Sequence, residues 1–262
     1  VQIQKAADGK PMPQIQDHIV KSFDEELRKL NHYIVHMGGL AEAQLQAAVD
    51  ALVKRDSDTA SRIIHDDSKI DEQEDLISHQ VIRLLALRQP MAIDLRQIVA
   101  ALKISSDLER IGDYAANVAK RAIALAQLPP LKPLFTIPRM ARLVQQNIKD
   151  VLDAYTESDA DKAIAVWQRD EEVDEMYTSL FRELLTYMME DQRNISPSIH
   201  LLFIAKNIER MGDHATNVAE TIHFIVHGRD IAAARPKGDT TSFTVFSAGD
   251  GEAGLKKGER RP

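Results

Sequence analysis

Apolar residues recur with a period of about 3.6 through most of this chain, from near Asp17 to His227, which is the signature of amphipathic helices. From Ser22 to Arg55 they fall at Leu27, Leu30, Ile34, Met37, Leu45, Val49 and Leu52. A second stretch begins near Asp56, carries Ile63, Ile64, Ile70, Ile77, Val81 and Leu84, and stops at Pro90, which cannot continue a helix ladder. A third runs from about Asp94 to Gln127. The pattern then breaks in "LPPLKPLFTIP", whose four prolines make the clearest linker in the chain. Beyond it the period resumes from Arg139 to Thr156, Asp159 to Glu190 and Ser198 to His227. Asp56 and Asp159 stand where helix N-caps are expected, and Gly228 where a helix closes.

Three helices, a proline break and three more helices predict an all-α fold of two tandem three-helix bundles. An internal repeat supports this. Eight of the thirteen positions from 107 to 119 are identical to those from 207 to 219. "HDDSKIDEQE" (His65 to Glu74) also lines up with "QRDEEVDEMY" (Gln168 to Tyr177) at an offset of 103. The expected organisation is a tail (1–16), a first bundle (17–128), a linker (129–138), a second bundle (139–228) and a second tail (229–262). That last segment is small, polar and glycine-rich, and is expected to be disordered or ordered only by a partner.

Composition narrows the function classes. The chain is 44% hydrophobic and 28% charged with a formal charge of −7, and it has no long basic stripe, which argues against nucleic-acid binding. It has no cysteine, which excludes disulfides and thiolate metal sites. No apolar run reaches the roughly 18 residues of a membrane span, and the first residues lack a signal-peptide core. A cytoplasmic protein is expected.

The candidate chemistry lies in the repeat. Each copy keeps a Glu and an Asp four residues apart and an Asn four further on: Glu109, Asp113, Asn117 and Glu209, Asp213, Asn217. The preceding helices add Asp67 with Asp71 and Asp170 with Asp174. On a helical wheel Asp113 and Asn117 fall at about 40° and 80° from Glu109, whereas Ile104, Leu108, Ile111, Ala115 and Val118 fall between about 180° and 260°. The acids are therefore expected on the outside of each bundle. A solvated face is the ordinary reading of an acidic stripe. Against it, carboxylates at i and i+4 repel by about 0.2–0.5 kcal/mol, and the next position on the row is a neutral Asn rather than a relieving cation. If the two acidic helices of a bundle pack together, four carboxylates converge on an oxygen-rich site suited to hard cations, or to iron and manganese.

Other residues carry milder expectations. Arg110 and Arg210 are expected to support the site, each by clamping a neighbouring carboxylate or, less in keeping with the acidic row, by binding an anion. Gly112 and Gly212, costly inside a helix by about 1 kcal/mol, are expected to permit close helix approach. His214 is a candidate ligand whose counterpart is Tyr114, Asp94 and Arg96 are expected to cap and brace the third helix, and Trp167 falls at core spacing. A di-iron helical-bundle oxidase or storage protein is the alternative. It calls for Glu-x-x-His pairs facing the core, and the position three after each key Glu is instead Gly112 or Gly212.

These residues resemble the PhoU family. The resemblance rests on "QPMAIDLRQIVAALKISSDLERIGDYAANVAKRA", on "HLLFIAKNIERMGDHATNVAETI" and on the paired acids around Asp71 and Asp174, and it extends over roughly residues 17–228. The family's repeated E/DxxxD motif is matched by Glu109–Asp113, Glu209–Asp213, Asp67–Asp71 and Asp170–Asp174. The resemblance implies a non-enzymatic negative regulator of phosphate transport and of the phosphate-starvation response. Its implied partners are the ATPase subunit of the phosphate ABC transporter and a membrane sensor histidine kinase, reached from the inner face of the membrane. It further implies metal ions on the acidic motifs (iron, manganese, zinc or magnesium, with nothing here selecting among them) and a homodimer. The tail after Gly228 is outside the recognised pattern.

Overall fold

The computed structural model describes residues 15–131, 135–235, 239 and 241, with side chains from residue 23 onward. The described residues form helices and connecting turns, with no strand. The helices are α1 (Ile15–Lys54), α2 (Ser57–Asp66), α3 (Ser68–Arg88), α4 (Ala92–Ala126), α5 (Thr136–Glu157), α6 (Ala160–Glu190) and α7 (Ile195–His227), with a short 3₁₀ turn at Gln192–Asn194. The second rod of the first bundle, expected as one helix, is broken at Asp67 into α2 and α3. Its counterpart α6 runs unbroken through the equivalent Asp170.

The helix ends follow local chemistry. Asp56 and Asp159 are N-caps, each accepting two backbone N–H bonds: Asp56 from Asp58 and Thr59, and Asp159 from Asp161 and Lys162. The residue before each cap, Arg55 or Ser158, is in the left-handed region at φ 56° and 53°. The offset of 103 seen in the acidic motifs is therefore repeated in these two turns. Gly228 closes α7 at φ 68°, donating its N–H to the Phe224 carbonyl at 2.8 Å.

The apolar stripes are buried where the period placed them. Leu30, Ile34, Met37, Leu45, Ile70, Ile77 and Leu84 fill the first bundle, and Ile204, Ile208, Met211, Ala215 and Val218 line α7 in the second. Trp167 is buried with its indole N–H donated to Glu220 at 2.9 Å. In the first bundle α4 packs on α1, α2 and α3, and in the second α7 packs on α5 and α6. The bundles meet through α4 against α7 and α1 against α5. Both pairs run antiparallel. Arg96 near the start of α4 donates to the Ile225 carbonyl near the end of α7, while Arg121 near the end of α4 lies over the Phe203 ring near the start of α7. Tyr155 donates to Asn31 at 2.8 Å across the α1–α5 seam. Arg96 thus ties the two bundles together rather than bracing its own helix as expected, and the Asp94 side chain makes no N-cap bond to α4.

Candidate functional site

Each bundle brings its two acidic helices together. In the first, Glu109 and Asp113 on α4 face Asp67 at the α2–α3 break, with Asp71 and Glu74 on α3. Burial, and then repulsion from Asp113, pushes Glu109 up to about 7; Glu74 and Asp71 add to it and Arg110 opposes it. Asp67 is also raised, by burial first and by Asp113 and Asp71 after it, against a hydrogen bond from Gln44 at 2.9 Å. Arg110 clamps the pair as expected, 3.5 Å from Glu109 and 3.1 Å from Asp113. Asn117 accepts from Lys120 at 3.2 Å.

The second cluster is different. Asp170 and Asp174 on α6 and Glu209 on α7 are 2%, 4% and 5% exposed, so they are not on the outside of the bundle as the wheel implied. The physical reason is that the segment after α7 lies over this cluster, Arg235 on Asp170 and Asp213 and Asp239 against Asp174. Burial pushes Glu209 up to about 7, with Asp213 and Asp174 adding to the shift and Lys206 opposing it. Asp170 is raised too, by burial against the pull of Arg235. A cleft of about 490 Å³ opens here, lined among others by Tyr114, Asp174, Glu209, Asp213 and Arg235.

Several contacts in this cluster were not anticipated. The Arg235 guanidinium lies 2.7 Å from Asp213 and 2.9 Å from Asp170, and donates to the Asp213 carbonyl at 3.2 Å and to Asn217 at 3.3 Å. Lys206 bridges Glu209 at 2.8 Å and Asp239 at 3.0 Å, and the Asp239 N–H points to Asp174 at 3.3 Å. The segment after Gly228, expected to be disordered or ordered only by a partner, is thus ordered at Arg235 and Asp239 by the chain itself; residues 236–238, 240 and 242–262 lie outside the described residues. Lys206 was readable, since it precedes Glu209 by one helical turn and its counterpart in the first copy is Ser106. Glu74 was readable in the same way, one turn beyond Asp71. Nothing local marks Arg235, which is 65 residues from Asp170 in the chain.

Two further expectations change. His214 contacts Asp107 at 2.8 Å, and Asn217 donates to the same carboxylate at 3.1 Å, so His214 belongs to the α4–α7 seam rather than to the acidic row. Arg210 reaches the Tyr114 hydroxyl at 3.4 Å across that seam and does not pair with a carboxylate as Arg110 does. Of Gly112 and Gly212, only the first is closely packed. A Cβ on Gly112 would stand 2.7 Å from Ile70, whereas one on Gly212 would meet its nearest neighbour at 3.5 Å, an ordinary contact.

The donor sets are all oxygen, and their burial and mutual repulsion favour a bound cation, which suits hard ions. Among the described residues, however, no three His, Asp or Glu side chains already stand close enough to hold one ion. A metal would have to draw carboxylates together, and in the second cluster it would meet a guanidinium on two of them.

One repeated sequence folded into two three-helix bundles, each with paired acidic helix faces, defines a duplicated helical-bundle protein with two carboxylate clusters. The PhoU domain model matches residues 34–122 and 137–222, once on each bundle. The chain is 52% identical over 227 residues to the phosphate-specific transport system accessory protein PhoU homolog of Caulobacter vibrioides, covering 86% of this chain and 99% of that one. It is 53% identical to the protein of the same description from Xylella fastidiosa strain Temecula1, covering 86% and 93%. The crystal structure of PhoU from Pseudomonas aeruginosa superposes with a TM-score of 0.76 at 41% identity, over 79% of this chain and all of that one. The phosphate transport system regulatory protein PhoU from Streptococcus pneumoniae gives the same TM-score at 31% identity, over 80% of this chain and all of that one. The chain belongs to the PhoU family.

Proposed function

We propose that this protein is an accessory protein of phosphate-specific transport that acts without catalysis, as a negative regulator of phosphate uptake and of the phosphate-starvation response. The observation that supports the accessory role is the match, across both bundles, to relatives described as phosphate-specific transport system accessory proteins over nearly their whole length. In this reading the protein docks at the inner face of the membrane, as a homodimer, between the ATPase subunit of the phosphate ABC transporter and a sensor histidine kinase. No helix among the described residues is long and apolar enough to cross a membrane, so attachment there would run through such partners.

The acidic clusters are proposed to take metal cations: Glu109, Asp113, Asp67 and Asp71 in the first, Glu209, Asp213, Asp170 and Asp174 in the second. A bound ion would supply positive charge to carboxylates that burial and mutual repulsion now hold up. Its effect would be to neutralise and stiffen a face that otherwise repels an acidic partner or lipid surface.

Affinity capture of the tagged protein from phosphate-replete cells tests the adaptor role. Recovery of the ATPase subunit and the kinase is expected, and recovery of neither overturns it. Elemental analysis of the purified protein beside an Asp113→Ala, Asp213→Ala double variant tests the metal assignment, which fails if both carry the same metal.

A further inference from the structure

The second acidic cluster already holds a cation, and the chain itself supplies it. Arg235 binds the Asp170 carboxylate, the Asp213 carboxylate, the Asp213 carbonyl and the Asn217 side-chain oxygen. Three of these four oxygens belong to side chains of the proposed metal site or its support, Asp170, Asp213 and Asn217. Asp239 adds a backbone N–H to Asp174 and shares Lys206 with Glu209. Every acid proposed for the second site is therefore engaged by this segment or by Lys206. Both Arg235 and Asp239 lie beyond residue 222, where the family model's second match ends.

Among the described residues, the first cluster has no such ligand from another segment. The residue one hundred positions before Arg235 is Phe135, which is 85% exposed at the start of the fifth helix. The only arginine on that acidic row, Arg110, is on the same helix and more than half exposed.

What holds the segment is chiefly charge. Among its described residues Ile231 packs against the core, while Ala232, Ala233 and Ala234 are exposed and bury little. Arg235 adds one positive charge and Asp239 one negative, so the cluster's net charge is unchanged by the contact. The pull on an outside cation persists while the donor oxygens are taken. Charge-assisted bonds of this type are strong when satisfied but exchange with any ion offering comparable interactions.

We propose that the segment after α7 is an internal ligand for the second acidic cluster: Arg235 occupies Asp170 and Asp213 and must leave before that cluster takes a divalent cation, whereas the first cluster takes one without displacing any chain segment. The proposal rests on the metal-binding reading above. It makes the two halves of a near-symmetric molecule unequal. A low cation concentration loads the first bundle, and a higher one loads the second and frees the segment from its surface.

The test uses the full chain, Mn²⁺ as probe, and two independent readouts. Mn²⁺ binding is followed by the free-ion paramagnetic resonance signal, and the seating of Arg235 on the cluster by its phenylglyoxal modification, read by peptide mass spectrometry. The wild type is expected to bind one ion tightly and one weakly or not at all, with Arg235 reacting slowly without Mn²⁺ and several-fold faster at saturation. Arg235→Gln is expected to tighten the weaker site by about tenfold or more, because a competing buried charge contact is gone. Asp113→Asn is expected to remove only the tight site. If both clusters bind Mn²⁺ while Arg235 stays protected and Arg235→Gln changes nothing, the displacement proposal is overturned and metal binding stands. If neither protein binds Mn²⁺, metal binding and the proposal fall together.

Discussion

At the scale of single residues, the acidic rows carry their own frustration. Glu109 and Glu209 are held up to about 7, above the ordinary glutamate value, first by burial and then by neighbouring carboxylates. A folded-state pKa above the unfolded one means the folded protein holds these protons better. Their contribution to stability is favourable at low pH, falls as pH rises through the ordinary carboxylate range, and levels off above about 7. Thermal unfolding in the presence of a chelator is therefore expected to show a falling Tm between pH 5 and pH 8. Glu109→Gln should flatten that fall, and an unchanged profile would contradict the assignment. The paired glycines separate just as sharply. Gly112→Ala requires the Ile70 Cδ1, 2.7 Å from the new Cβ, to swing aside within the core, at a cost of roughly 1–3 kcal/mol that cancels or exceeds the helix gain of about 1 kcal/mol. Gly212→Ala meets only ordinary contacts, so urea unfolding should find it unchanged or more stable by up to about 1 kcal/mol. Equal effects at both positions would refute the distinction.

At the scale of elements, much was readable. Helix periods, the N-caps at Asp56 and Asp159 and the stop at Gly228 depend on neighbours within a turn or two, and a sequence displays those neighbours directly. The break at Asp67 was not readable, because Asp170 occupies the matching place in an unbroken helix. The left-handed turns before each cap were also missed, since neither Arg55 nor Ser158 is a glycine. Ser158→Gly should relieve that conformation and stabilise the protein by about 0.5–1 kcal/mol. Asp159→Ala, by contrast, removes two N–H partners and should destabilise by about 1 kcal/mol. Chemical denaturation of the two variants side by side checks both signs.

At the scale of the whole molecule, the bundles are coupled through α4 and α7 by polar contacts. Asp107 is the central one, serving both His214 and Asn217 across the seam. Asp107→Ala leaves those groups short of a partner and is expected to cost about 1–3 kcal/mol. Calorimetry should show a lower Tm for this variant, and a Tm equal to wild type would mean the seam is held by packing alone.

The sequence by itself determined six helical segments, one of which the fold breaks in two, together with the duplication and the four acidic pairs. Each of these is a matter of period and spacing along the chain. Only the tertiary structure decided that the second cluster is buried, that His214 serves a seam rather than the acidic row, and that Arg235 sits over Asp170 and Asp213. Those outcomes depend on which helices pack on which, and they join residues as far apart as 65 to 107 positions. A helical wheel shows which side a carboxylate faces, but not what the fold brings against that side.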